Sequence, residues 1–279
     1  MMKKVLQYLF VFALFFSITG FSDSEFVKTR SAAEQGLAKA QCDLGAMYYN
    51  GQGVQQDYAL ACQWYEKAAK QEYAPAQHNL GVLYANGQGA QQDYALARQW
   101  LEKAAKQEYA PAQYNLGGLY YNGQGVQQDY TLARQWLEKA AKQEYAPAQY
   151  NLGVLYEKGQ GVQQDYALAR QWLEKAAKQD DAQAQHNLGV MYYNGQGVQQ
   201  DYAVAAQWWE KAAKQEDASA QYNLGVLYEK GQGVQQDYAL AREWYEKAAK
   251  QEDARAQHNL GVMYYNGESF HLNIDRATV

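Results

Sequence analysis

The chain has 279 residues, 48% hydrophobic and 20% charged, with a formal charge of −5 at pH 7. The negative balance is spread along the sequence and not gathered in a block. It argues against nucleic acid, which calls for a basic stripe, and offers anionic lipid no polybasic patch.

The chain opens MMKK and continues VLQYLFVFALFFSITGF, a positive segment followed by an apolar run of the length secretory signals use. Residues 1–22 read as a signal peptide, with Gly20 and Ser22 at −3 and −1 for cleavage after Ser22; cleavage after Gly20 is the alternative. An uncleaved membrane anchor is the other reading of such a run. No Cys follows it, which argues against a lipid anchor. Loss of Lys3 and Lys4 with the leader takes the charge to −7. The mature chain is expected to be periplasmic or secreted, with no membrane attachment after cleavage.

Residues 23–38 form an N-terminal capping helix region. From there a unit of 36 residues recurs: Gly-Gln-Gly begins at Gly51, Gly87, Gly123, Gly159, Gly195 and Gly231, and Trp64, Trp100, Trp136, Trp172, Trp208 and Trp244 keep the interval. A period of this size marks a stacked array. Six copies fill 39–74, 75–110, 111–146, 147–182, 183–218 and 219–254, a seventh half-repeat 255–267, and a truncated tail 268–279.

Within the fourth copy, Ala148, Leu152, Leu155 and Tyr156 make the apolar stripe of an amphipathic helix, here called helix A, with Pro147 in its first turn. Gly159 is placed to stop that helix in a left-handed conformation, and Asp165 to cap a second one, helix B. Helix B carries Tyr166, Ala169, Trp172, Leu173, Ala176 and Ala177 inward and is expected to reach Gln179. The Gly-Gln-Gly is therefore a hairpin connection. A dinucleotide loop needs a strand ahead of it, and no Gly-Lys-Ser or Gly-Lys-Thr occurs. Gly153 and its equivalents sit in mid-helix, at a cost of about 1 kcal/mol against Ala, and the Trp of helix B is expected to fill the space they leave.

The pattern A-x-A-Q-[YH]-N-L-G-x-[LM]-Y-x-x-G-x-G-V-x-Q-D-Y-x-x-A-x-x-W-x-x-K-A-A, here Ala146 to Ala177, resembles the Sel1-like repeat, a relative of the tetratricopeptide repeat. The resemblance covers essentially the whole mature chain. It implies an all-α fold, an α-solenoid of helix-turn-helix hairpins, working as an adaptor or scaffold for other proteins or peptides in envelope assembly or host contact. One cysteine-rich branch of that family is associated with β-lactam binding and hydrolysis, so an envelope hydrolase is the rival reading. The cysteine pair of that branch is missing from most repeats here.

No catalytic, cofactor or metal site is expected, and no cofactor. Ser is scarce and begins no Ser-x-x-Lys; His78, His186 and His258 lie 108 and 72 residues apart at equivalent positions of different repeats, and no His-Glu-x-x-His occurs. A protein-binding surface is read instead on the helix A side opposite the core stripe: His78, Tyr114, Tyr150, Asn151, His186 and Tyr222, aromatic rings interrupted by polar groups, with an amide able to bond a peptide backbone. Packing between neighbouring repeats is the alternative role for the same side chains. Cys42 and Cys62 are an even pair that invites a disulfide, although an antiparallel hairpin turning at residues 51–56 sets Cys42 opposite positions 66–68. At the C-terminal end Leu260, Met263 and Tyr264 are expected to keep an uncovered apolar stripe, a place for a partner or self-association unless Phe270, Leu272 and Ile274 fold back on it.

Overall fold

The computed structural model describes residues 23–266; the expected signal peptide, 1–22, and the tail 268–279 lie outside them. Every element among the described residues is a helix: α1 (Asp23–Glu34), α2 (Ala38–Asn50), α3 (Tyr58–Lys70), α4 (Ala74–Asn86), α5 (Tyr94–Lys106), α6 (Ala110–Asn122), α7 (Tyr130–Lys142), α8 (Ala146–Lys158), α9 (Tyr166–Ala177), α10 (Ala182–Asn194), α11 (Tyr202–Lys214), α12 (Ala218–Lys230), α13 (Tyr238–Lys250) and α14 (Ala254–Asn266). From α2 on, even numbers are the A helices and odd numbers the B helices of an α-solenoid. Each hairpin begins one residue ahead of the repeat boundary read from the sequence, and α9 stops at Ala177, short of Gln179.

The chain divides into two compact units with the boundary inside α8: one holds the chain up to Leu152 together with Gln160–Gln163, the other Gly153–Gly159 and the chain from Gln164. In the first unit α2 packs on α3, α4 on α5 and α6 on α7, with α1 against α2; in the second, α10 packs on α11, α12 on α13 and α13 on α14.

Local chemistry fixes the ends of each hairpin. Asp57, Asp93, Asp129, Asp165 and Asp237 each accept, on the side-chain oxygen, the N–H three residues on at 2.9 Å, starting α3, α5, α7, α9 and α13. Such caps contribute about 1 kcal/mol each. Gly51, at φ 69°, ends α2 in the left-handed region, its N–H donating to the Met47 carbonyl. The second glycine of the loop has a further task. A Cβ on Gly89 would lie 2.0 Å from the Tyr58 carbonyl oxygen, so the loop closes directly on the first turn of the preceding repeat's B helix. Only a residue without a side chain fits there.

The mid-helix glycines are sockets, and the invariant Trp does not fill them. The residue after it does: Tyr65 at Gly45, Leu101 at Gly81, Leu137 at Gly117, Leu173 at Gly153, Trp209 at Gly189 and Tyr245 at Gly225, where a Cβ on the glycine would come within 2.3 to 3.1 Å of the plug in every case. Tyr65, Leu101, Leu137, Leu173 and Tyr245 are fully buried.

A ladder of amides runs beside this core. Gln41, Gln77 and Gln113 donate to the carbonyls of Ala33, Ala69 and Ala105 at 3.2 Å and accept from Gln71, Gln107 and Gln143 at 2.7, 2.8 and 2.8 Å. Gln185 and Gln221 repeat the pattern in the second unit. The Gln41–Ala33 bond shows that α1 stands where a B helix would, ahead of α2. Its sequence agrees: Ser31-Ala-Ala-Glu-Gln-Gly-Leu-Ala-Lys-Ala-Gln41 parallels Lys67-Ala-Ala-Lys-Gln-Glu-Tyr-Ala-Pro-Ala-Gln77.

Cys42 and Cys62 are free thiols, both buried, so the structure holds no bridge between them. Burial pushes the Cys42 thiol up to about 12 and raises that of Cys62. On α14 the expected apolar stripe is largely covered. Met263 is 1% exposed and packs with Ala241, Tyr245 and Ala248 of α13, with Leu260 partly buried beside it. Tyr264 remains exposed, joined by Val262 and Tyr265. Phe270, Leu272 and Ile274 lie outside the described residues.

Candidate functional site

The residues read from the sequence as a binding wall stand at the joints between repeats. In the first unit a buried polar chain links three A helices: Asn79 Nδ2 donates to Cys42 Sγ at 3.8 Å, Asn79 Oδ1 meets His78 Nδ1 at 3.1 Å, and His78 Nε2 meets Asn115 Nδ2 at 2.9 Å. The amide partners fix His78 as neutral, donating from Nδ1 and accepting at Nε2. Burial pushes its pKa down to about 4. One repeat on, Asn151 Nδ2 donates to the Tyr114 hydroxyl at 3.3 Å. Tyr109 stands edge-on to His78 and Tyr145 edge-on to Tyr114, both at 5.5 Å. In the second unit Asn223 Nδ2 meets His186 Nε2 at 3.3 Å, and burial lowers the His186 pKa.

His78, Tyr114 and Asn151 are buried; Tyr150, His186 and Tyr222 are half-buried, and the Arg255 guanidinium lies over the Tyr222 ring at 4.3 Å. The A helices of the first unit have little open surface, with nine of the thirteen residues of α4 buried. In the first unit the B helices have more exposed residues, and the B helices carry a second periodic set, the Trp and Lys at i, i+3.

Each repeat Trp is half-buried on its B helix with a lysine ammonium over the ring, and Trp100, Trp136 and Trp244 pack against the core formed by the preceding B helix and their own A helix. Lys67 lies 3.8 Å from the Trp64 centroid, Lys103 4.2 Å from Trp100, Lys139 4.1 Å from Trp136, Lys175 4.5 Å from Trp172, Lys211 4.4 Å from Trp208 and Lys247 4.1 Å from Trp244. These pairs are i, i+3 neighbours, and the lysine stem covers the indole while its charge stays in water. Between α11 and α13, Trp244, Lys247, Lys250, Lys214, Glu216, Gln221 and Gln251 line a groove of about 540 Å³. Its floor is the Gln251–Gln221 hydrogen bond of 3.0 Å. The signal for this surface is the W-x-x-K spacing itself.

The charges around the groove follow a rule. Arg98, Arg134, Arg170 and Arg242 engage Glu102, Glu138, Glu174 and Glu246 one turn along the same helix. Where no Arg occupies that place, the glutamate turns to lysine: Glu66 pairs with Lys70 and Glu210 with Lys214, both at 2.8 Å. Where Arg is present, Lys106, Lys142, Lys178 and Lys250 make no ion pair among the described residues. No group of three or more His, Cys, Asp or Glu side chains able to hold a metal ion occurs among the described residues.

The sequence model of the Sel1 repeat matches residues 38–73, 74–109, 110–145, 146–181, 182–217, 218–253 and 254–277, starting where the A helices start. Among solved structures, c5321, a protective antigen present in uropathogenic Escherichia coli strains and displaying an SLR fold, is 39% identical over 88% of this chain and 52% of its own, with a TM-score of 0.84. A Sel1 repeat protein from Oxalobacter formigenes is 32% identical over 81% of this chain and 94% of its own, with a TM-score of 0.70. The chain thus spans about half the length of the Escherichia coli antigen. No curated protein matches it. The chain belongs to the Sel1 repeat family.

Proposed function

We propose that this Sel1 repeat protein is a scaffold outside the cytoplasm, without chemistry of its own, that holds a partner protein against the outer faces of its B helices. The observation that carries the reading is the Trp–Lys pair set in the same place on every B helix, half-buried aromatic beside exposed ammonium. Aromatic anchors on rigid elements are what protein recognition uses. The basic, then apolar N-terminal segment supports export, and the Escherichia coli relative's description as a protective antigen agrees with a role in the envelope or at host contact. A second copy of the chain is the partner this reading sets at α14, where Val262, Tyr264 and Tyr265 are exposed. A scattering mass that stays monomeric at all concentrations would rule that contact out.

A photo-crosslinking residue placed at Trp136 or Trp244 is expected to capture a discrete protein in the native envelope, while the same residue at the exposed loop positions Gln127 and Gln199 does not. Equal labelling at groove and loop positions would overturn the scaffold reading. Turnover of a chromogenic β-lactam by purified protein, lost on a single substitution, would favour a hydrolase instead.

A further inference from the structure

Resting on the scaffold reading, we infer that the partner segment seated along the B helices is an acidic, extended peptide. The inference starts from charge. The chain as a whole is negative, yet the C-terminal ends of its B helices carry paired lysines, Lys103 with Lys106 and Lys139 with Lys142 in the first unit, Lys175 with Lys178, the residue just past α9, and Lys247 with Lys250 in the second. All eight are exposed. The arginine one turn before each B helix glutamate draws off the carboxylate that would otherwise neutralise the second lysine of each pair, as it does at Lys70 and Lys214. In the groove before α13, Lys247 and Lys250 line the wall beside Glu216, while Lys214 is already paired with Glu210.

The aromatic partner narrows the ligand class. A sugar ring stacks flat on an indole, but here each lysine already lies across the ring of a half-buried Trp, leaving the lysine charge and the solvent-facing part of the indole to an incoming group. That geometry suits the aliphatic stem and carboxylate of Glu or Asp: the stem against the indole edge, the carboxylate between two lysines. The exposed Gln251 side chain in the groove lining adds an amide oxygen for a peptide N–H, its Nε2 being held by Gln221. Because the same set recurs on α5 and α7 within the first unit, a peptide with carboxylates at intervals would meet two lysine pairs at once there, and its affinity would come from the sum.

The test uses the chain from residue 23 to 279, which keeps every described helix. A fluorescently labelled peptide of alternating Glu and Ala is expected to bind, with affinity falling as salt rises. Changing Lys103, Lys106, Lys139 and Lys142 to Gln should weaken it about tenfold or more and flatten the salt dependence, from four charge contacts of ordinary surface strength. Lys39→Gln, on α2 away from the B helices, should leave binding unchanged, and circular dichroism should show both variants folded. The inference is overturned if the acidic peptide fails to bind, if the fourfold variant binds it equally, or if a sulfated polysaccharide of matched charge binds more tightly. Crosslinking at Trp136 that survives the four Lys→Gln changes would leave the scaffold reading standing and remove the acidic partner; loss of all crosslinking specificity would remove the scaffold reading itself.

Discussion

Gly189 and Trp209 fit as socket and plug: a Cβ on Gly189 would lie 2.3 Å from Trp209 Cδ1 and Nε1, and that indole N–H donates to the His186 carbonyl at 3.1 Å. The equivalent socket on α14, at Gly261, meets nothing within 4 Å beyond its own helix backbone among the described residues. Gly189→Ala should therefore destabilise the protein by about 2–3 kcal/mol through overpacking. Gly261→Ala should be neutral or stabilising by up to about 1 kcal/mol, the helix-propensity gain. Chemical denaturation of the two variants checks the pair; equal losses would contradict the socket description.

Stability should fall in mild acid. His78 has its pKa lowered by burial to about 4 in the folded chain, against about 6.5 when exposed. As pH drops below the exposed value, the unfolded chain binds the proton first. Stability is lost between about pH 6.5 and 4, by at most roughly 3 kcal/mol from this residue, and levels off below. His78→Tyr copies Tyr114, which accepts from Asn151, and should remove much of that slope without unfolding the chain. Urea midpoints at a series of pH values decide the matter; an unchanged slope in the variant would assign it elsewhere.

Tyr114→Ala and Asn151→Ala should cost stability, about 3 kcal/mol for the ring and about 1–3 kcal/mol for a buried amide partner. Both residues are buried in the first unit and bonded to each other. Trp136→Ala, on a half-buried ring, should cost less and should weaken capture of the partner more. Comparing unfolding with crosslinking in the same variants separates packing from binding; partner capture lost at Tyr114 with stability intact would return the helix A residues to the binding surface.

Removing residues 74–109, one whole hairpin, joins Tyr73 to Ala110 and should leave a folded, soluble protein of lower stability, since each repeat leans on its neighbours. Removing only 74–91 takes away α4 with Gly81, leaves Leu101 of α5 a plug without its socket, and should unfold the region. Circular dichroism melts report the difference, and two deletions that melt alike would refute the modular description.

The hairpins are legible in the sequence because their signals are local: Asp at the start of helix B, Gly at the end of helix A, and an apolar stripe between. What fills the Gly sockets is not. The invariant Trp stands out, but its successor, about 100° further round the helix, faces the glycine. That position varies among Tyr, Leu and Trp, and a varying residue looks less structural than a constant one. The helix A wall misleads for a related reason. A helix assigned one buried face leaves His78 and Asn151 on the other, whereas a helix stacked in an array also meets the repeats before and after it. The Gln and Asn ladders need that third dimension, since their partners lie 30 to 37 residues away.

The bonds that join one repeat to the next, such as Asn115 to His78 and Tyr49 to Gln88, span 37 and 39 residues of sequence. Separations this short make native contacts available early. A chain emerging from its N-terminus, whether from a ribosome or a translocation channel, can complete each joint as soon as the next hairpin has followed it, with no need to wait for distant sequence. Folding by accretion of this kind favours rapid assembly over the slow search that long-range pairing demands.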